Sequence, residues 1–284
     1  MKKTYIFIPP LKKTSGGLAV FYRMASFLYH EGFKVYLVCM DKPGWQPSID
    51  SDLPPIIKWS DLSLTEEDIW LIPEGWFNAL LPGIQANATC YVYCQNWAYL
   101  FSALPENISW QDLPVSFIAV SHPVAEFIKD TLQVISPILR PGIDTNLFSL
   151  PDSKSSDILN IAYMPRKNSA LAKQIITIFQ TRTLAKQLKN KIRFFAISGL
   201  NAREVATILK KSHIFLATGF PEGCPLPPLE AMACGCLPVG FSGFGGWDYM
   251  RQALPENGYN PRLKLRPVPW QGNGLYSADG DVID

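Results

Sequence analysis

A chain of 284 residues is long enough for two domains of ordinary size, and 48% hydrophobic against 18% charged residues implies well-filled cores. The net charge of +2, with both signs interspersed, argues against a nucleic-acid partner and leaves peripheral membrane contact open only through a small basic patch. The start MKKTYIFIPP breaks at Pro9-Pro10, too early for a signal peptide, and no apolar run reaches membrane-spanning length, so a soluble cytoplasmic protein is expected.

Strands and helices alternate from the first residues. Tyr5 to Ile8 reads as a strand and Ser15-Gly16-Gly17 as a turn. Leu18, Phe21, Met24, Ala25 and Leu28 recur at helical spacing, and Gly32 ends that helix. Val35 to Val38, Ile56-Ile57, Ile69 to Ile72, Cys90 to Tyr93 and Phe117 to Val120 read as further strands, with Pro43 to Pro55 a loop. Ser121 caps a helix whose apolar face carries Val124, Phe127, Ile128 and Leu132. Ile135 to Leu139 closes this half, and Pro141-Gly142 breaks it.

The polar stretch Leu150 to Asp157, LPDSKSSD, reads as a linker. After it come a strand (Asn160 to Met164), a helix (Ala170 to Leu188), a strand (Phe194 to Ile197) and a helix (Ala202 to Leu209). Two such series predict an α/β protein of two Rossmann-like domains, residues 1–149 and 150–284, facing a cleft.

The most informative stretch is Ile214 to Gly246. An apolar strand (Ile214 to Ala217) runs into a Gly/Pro loop carrying Glu222; Pro227-Pro228 open a helix that holds Glu230, and Gly235 closes it. A second strand (Leu237 to Val239) leads to Gly243, Gly245 and Gly246. Two carboxylates eight positions apart thus bracket a strand-to-helix turn, the place where ligands bind in a parallel sheet.

Glu222, seven residues, then Glu230 followed by Ala-Met-Ala and a Gly-bearing strand resembles the Glu-x7-Glu signature of retaining GT-B-fold glycosyltransferases, glycosyltransferase family 4 above all. The resemblance implies that Glu230 holds the ribose of a nucleotide-diphosphate sugar and Glu222 the hydroxyls of the transferred sugar. The diphosphate is assigned to backbone amides of the turn formed by Gly223, Cys224, Pro225 and Leu226, and to Arg166 and Lys167. The family places an Arg at a strand end and a Lys five residues later; here that position is Leu171, so Lys167 or Lys173 substitutes. Gly16-Gly17 resembles the family's N-terminal glycine loop, and Pro141-Gly142-Ile143-Asp144 its stretch before the interdomain crossover, with Gly142 bordering the cleft. Where many members carry a histidine, this chain reads Cys94-Gln95-Asn96-Trp97, which leaves Gln95 or Asn96 to orient a hydroxyl without acting as a base. His122 reads as a helix start.

The resemblance thus implies a retaining, metal-independent hexosyltransferase. It would have no cofactor beyond the nucleotide sugar as co-substrate and would use a glycan or lipid-linked acceptor, as in bacterial surface-glycan synthesis. Tyr91, Tyr93, Trp97, Tyr99, Phe101 and Trp110 are either core or a sugar-stacking groove. Cys90-x3-Cys94 and Cys234-x-Cys236 lack zinc-knuckle spacing and lie far from the histidines, so free thiols are expected. The doublets Asp50-Ser-Asp52 and Asp279-Gly-Asp281 do not follow apolar strands, so no metal is expected. The rival readings are a sugar-nucleotide epimerase, an inactive sugar-nucleotide or glycan binder, and a nicotinamide enzyme, whose glycine fingerprint Gly243-x-Gly245 leaves incomplete. Gly274 to Asp284 reads as a last loop and the start of a helix capped by Ser277 or Asp281, the remnant of a truncated C-terminal domain.

Overall fold

A computed structural model of the protein describes residues 2–11, 16–40, 53–155, 157–182, 188, 191–256 and 258–283. The chain divides into two compact units, Met1–Arg140 and Pro141–Asp284.

The first unit is built on a parallel sheet of β1 (Lys3–Ile8), β2 (Lys34–Cys39), β3 (Ile56–Lys58), β4 (Ile69–Pro73), β5 (Thr89–Cys94) and β6 (Val115–Ala119), in the order β3-β2-β1-β4-β5-β6. The helices are α1 (Gly16–His30), α2 (Leu81–Gln85), α3 (Trp97–Ser102) and α4 (His122–Leu132). In β1 the four consecutive residues Tyr5 to Ile8 are all buried, so both faces of the strand are covered, as a parallel sheet with crossover helices requires. Register is set by Ile6 opposite Leu37 on one side and Leu71 on the other. Trp70 and Trp110 fill the core and satisfy their indole N–H groups on the carbonyls of Ala79 (2.7 Å) and Leu100 (2.8 Å). Ser121 caps α4 by accepting the Val124 N–H at 3.4 Å.

The second unit contains β7 (Leu159–Tyr163), α5 (Ser169–Thr181), β8 (Ile192–Ala196), α6 (Ala202–Lys211), β9 (Ile214–Ala217), α7 (Leu226–Ala233), β10 (Leu237–Phe241) and β11 (Leu275–Ser277). Its sheet runs β11-β10-β9-β7-β8, and every pairing is parallel. Phe148, Leu209, Phe215 and Ala231 lie in one core and Trp247, Tyr249, Met250 and Tyr276 in another. The stretch around Lys154 is anchored, because the ammonium donates to the Ser212 carbonyl. Among the described residues no helix is long and apolar enough to cross a membrane, and the six cysteines are free thiols.

Ile135 to Leu139 contributes the bridge Ala119 to Ile138, and Pro137 at its centre has no N–H to extend a ladder. One element differs from the sequence reading. Gly274 to Asp284 supplies an edge strand in place of a helix start: Leu275–Ser277 pairs with Val239–Phe241, and Tyr276 is buried among Trp247, Tyr249 and Met250. The apolar side chain of Tyr276 and the unpaired edge of β10 together outweigh the capping chemistry of Ser277 and Asp281.

α6 begins with a reciprocal cap: Asn201 Oδ1 accepts the Glu204 N–H at 3.0 Å, and Glu204 Oε2 accepts the Asn201 N–H at 2.8 Å. Replacing Asn201 with Ala is expected to cost about 1 kcal/mol of stability in urea unfolding, with an unchanged m-value.

Candidate functional site

Each sheet reverses its winding once. In the first unit the chain moves outward from β1 to β2 and β3, then returns to β4 on the other side of β1; in the second it moves from β7 to β8, then returns to β9 on the other side of β7. The loops leaving the two strands at such a reversal diverge, which opens a crevice at their carboxyl ends. The candidate residues gather at these two places.

In the second unit the loop after β7 carries Arg166, Lys167 and Asn168, and the loop after β9 carries Glu222. The two loops are stitched by side chains. Asn168 Nδ2 donates to the carbonyls of Thr218 (2.9 Å) and Phe220 (3.0 Å), and Thr218 Oγ1 donates to the Lys167 carbonyl (3.0 Å). Across the seam, Lys167 Nζ lies 2.6 Å from Glu222 Oε1. Met164, Lys167, Thr218, Gly219, Glu222 and Pro225 are among the residues lining the pocket there, whose enclosed space of about 20 Å³ is room for roughly one water. The Glu222 side chain is 13% exposed and the Lys167 side chain 35%, so solvent screens the pair and its contribution to stability is small.

The Glu222 backbone is held from β10. Its N–H donates to the Gly243 carbonyl (2.9 Å), and its carbonyl accepts the Gly245 N–H (3.0 Å). Gly243 has φ +64°, and a Cβ there would stand 2.7 Å from the Glu222 Cβ; a Cβ on Gly219 would stand 2.6 Å from Glu222 Oε1. These glycines make room for the carboxylate. Asp279 completes the frame by accepting the Gly243 N–H at 2.8 Å. Burial raises the Asp279 pKa, and backbone N–H groups of Gly243, Phe244 and Ser242 oppose the rise. The first residue of the Asp279-Gly-Asp281 doublet is therefore tied to the backbone of the Glu222 loop. Asp50 and Asp52 lie outside the described residues.

Gly223, Cys224, Pro225 and Leu226 carry the loop into α7, with Pro225 the cap and its carbonyl accepting the Tyr249 hydroxyl at 2.6 Å. Leu226, Pro227, Pro228 and Leu229 form the first turn. Proline has no N–H, so only Leu226 and Leu229 supply amides there, fewer than an ordinary helix start. Of the two cations expected there, Lys167 lines the pocket and Arg166 is exposed. Glu230 is half-buried in the second turn of α7. Gly142 is exposed; near it Asp144 Oδ1 accepts the N–H groups of Asn146 (3.0 Å) and Leu147 (3.2 Å), and Phe148 is in the core, so this stretch serves as an anchored turn.

In the first unit the reversal lies between β1 and β4. Gly16 and Gly17 open α1 beyond β1, Glu74 follows β4, and Gln95 and Asn96 follow β5. Gln95 Nε2 donates to the Gly17 carbonyl at 3.0 Å. The Gln95 N–H donates to Glu74 Oε2 (3.1 Å) and the Asn96 N–H to Glu74 Oε1 (2.8 Å). Asn96 Oδ1 caps α3 by accepting the Ala98 N–H at 3.1 Å. Glu74 was not singled out from the sequence; the available signal was a carboxylate directly after the apolar run IWLIP, at the carboxyl end of a parallel strand. Tyr93 and Trp110 are core residues, and Tyr93 donates its hydroxyl to the Leu139 carbonyl at 2.7 Å, whereas Tyr99 and Phe101 are exposed. His122 is the first residue of α4.

Two parallel, once-reversed sheets with carboxylates at their reversal points define a GT-B-like protein of two Rossmann-like units. Residues 179–259 match the family of glycosyl transferases group 1. The chain is 27% identical over 199 residues to an alpha-1,6-glucosyltransferase of Actinobacillus pleuropneumoniae serotype 7; the match takes in 68% of this chain and 58% of that relative, less than two thirds of its length. Among solved structures, a glycosyltransferase from Rickettsia africae superposes with a TM-score of 0.61 at 13% identity, covering 99% of this chain and 85% of the other. A sucrose-phosphate synthase from Thermosynechococcus elongatus does so with a TM-score of 0.63 at 12% identity, covering 99% and 87%. These two likenesses concern the fold. The chain is thus similar to the group 1 glycosyltransferases, over residues 179–259 and along the stretch shared with that relative.

Burial pushes the Glu74 pKa up from 4.5 to about 7, against the opposing pull of the backbone N–H groups. Between those values the folded protein holds a proton that the unfolded chain has released, so this group's contribution to stability falls as pH rises through the window. The melting temperature of the wild type minus that of Glu74→Gln should therefore decrease steadily from pH 5 to pH 8 and level off above. A difference that is flat with pH would show that Glu74 titrates normally.

Proposed function

We propose that this protein is a retaining, metal-independent hexosyltransferase. It moves a sugar from a nucleotide-diphosphate donor to a hydroxyl of a glycan or lipid-linked acceptor in surface-glycan synthesis. The observation that carries the reading is the Lys167–Glu222 pair at the β7/β9 reversal, inside the family's carboxylate signature. In this reading Glu230 accepts hydrogen bonds from the ribose hydroxyls. Lys167, Arg166 and the amides at Cys224 and Leu226 hold the diphosphate, and Glu222 accepts from hydroxyls of the sugar. The acceptor binds the first unit near Gly16, Gly17, Gln95 and Asn96. Gln95 and Asn96 orient the attacking hydroxyl; the donor's own leaving phosphate oxygen takes its proton, so no side-chain base is needed.

The ion pair gives the donor site a built-in exchange. A diphosphate draws Lys167 from Glu222, and a sugar hydroxyl then satisfies the carboxylate left behind. A nucleoside diphosphate without its sugar leaves Glu222 uncompensated beside an anion, which disfavours binding. The site thereby favours the loaded donor over the spent product.

Calorimetry with UDP, GDP and their glucose conjugates, paired with a turnover assay, tests this. Lys167→Ala should weaken whichever nucleotide binds by about tenfold, the loss of one screened, charge-assisted hydrogen bond. Glu222→Gln should bind the bare nucleoside diphosphate about three- to tenfold more tightly than wild type while losing most of the preference for the sugar conjugate. Weaker binding of both ligands in equal measure would remove the exchange. Binding without turnover would leave a sugar-nucleotide binder in place of an enzyme. Turnover that stops in EDTA would contradict metal independence.

Glu230→Ala should lower affinity for the nucleoside diphosphate by about one to two powers of ten, since a lost charged hydrogen bond costs roughly 1.5–3 kcal/mol. Unchanged affinity for the nucleoside portion would remove the ribose assignment.

A further inference from the structure

Glu74 is a carboxylate with almost no access to water, 5% exposed, at the carboxyl end of β4 and beside the reversal of the first sheet. Two backbone N–H groups, of Gln95 and Asn96, converge on its two different oxygens. Only an ionised carboxylate offers both oxygens as acceptors. An amide in its place offers one oxygen and turns an NH₂ group toward the other N–H. Protonation has a similar effect, because one oxygen becomes a donor.

The turn that Glu74 holds is the one that carries Gln95, whose side-chain amide donates to the Gly17 carbonyl. Two strand ends and a helix start are thus joined in series: β4 through Glu74, β5 through Gln95, and α1 through Gly17. The helix that follows does not need Glu74 for its start, since Asn96 already caps α3. An ionised group in dry surroundings is costly to keep, and here the cost falls at the one edge of the first sheet where the strands diverge.

We propose that Glu74 is a positioning residue: by accepting the N–H groups of Gln95 and Asn96 it sets the β5–α3 turn and, through the Gln95 amide, fixes that turn against Gly16–Gly17, so that the acceptor edge is preformed. This rests on the reading of the first unit as the acceptor side. Among the described residues the group that faces Glu74 electrostatically is the Cys94 thiol, which burial holds well above its ordinary pKa and therefore neutral through the pH range of interest. The Glu74 carboxyl itself, raised to about 7 by burial, changes charge near neutrality.

The test combines amide hydrogen exchange by NMR with turnover of UDP-glucose, both from pH 6 to 8.5, on the full chain. In the wild type the protection factor of one of the Gln95 and Asn96 amides should fall about tenfold as pH drops through about 7, the loss of one hydrogen bond, while the Ala98 amide keeps its protection. The kcat for UDP-glucose should show the same acid limb with a flat KM, because the donor binds elsewhere. In Glu74→Gln one of the two amides should be poorly protected at every pH, kcat about tenfold lower, the acid limb gone and KM within about twofold of wild type. Unaltered protection in Glu74→Gln, an acid limb that persists in it, or a KM change with kcat intact would each overturn the proposal. If Glu74→Gln does not fold, the wild-type amide series decides by itself. A wild type that neither binds nor turns over UDP-glucose or GDP-glucose would defeat the functional reading alone, and the amide exchange would still decide the role of Glu74.

Discussion

The constraint behind both candidate sites is the single reversal of winding in each parallel sheet. Within a parallel ladder, neighbouring strands share backbone hydrogen bonds up to their ends, and the crossover helices cover both faces. At the reversal the two central strands send their loops to opposite faces, so the backbone cannot complete the join. Side chains do it. In the second unit Asn168 and Thr218 bridge the loops after β7 and β9. In the first, Glu74 and Gln95 link the ends of β4 and β5 to the start of α1. Polar groups there therefore have structural work in joining the strands.

The charge balance of the second site follows from its helix. A helix start usually presents several free amides and a partial positive charge to an anion. Pro227 and Pro228 remove two of those amides from α7 while presetting its backbone. On the proposed reading Lys167, which meets Glu222 at the pocket, replaces what they take away, and a flexible ammonium suits an exchange between a carboxylate and a phosphate better than a rigid Arg fork.

Much of the fold was legible in the sequence, because short apolar runs separated by helical periodicity and turn residues leave few alternatives. The strand, loop and helix around Glu222 and Glu230 fall where the residues put them. What escaped depends on contacts distant in sequence. Gly274 to Asp284 reads locally as a helix start, yet Tyr276 finds Trp247 and Met250, and Gln252 receives the Tyr276 N–H at 3.1 Å. Lys167 and Arg166 are adjacent and chemically alike in sequence; which one meets Glu222 is fixed by the course of the chain past Met164 and by the Asn168 and Thr218 bonds. Glu74 passed unnoticed because a single carboxylate after a strand has no spacing to recognise. Its meaning lies in two N–H groups some twenty residues away.

Glu222 and Glu74 occupy corresponding places: each follows the strand on which the chain resumes after its reversal, β9 in one sheet and β4 in the other. Their surroundings make them opposite in behaviour. Glu222 is paired with a partly solvated lysine side chain, which on the proposed reading leaves it for a phosphate. Glu74 is paired with two backbone N–H groups that cannot move without moving the turn, and only a proton can compete for it. A carboxylate held by a side chain makes an exchangeable site, whereas one held by backbone makes a fixed template. The proposed transfer would use both kinds: a donor side that tells loaded from spent nucleotide, and an acceptor side whose orientation is set before the hydroxyl arrives.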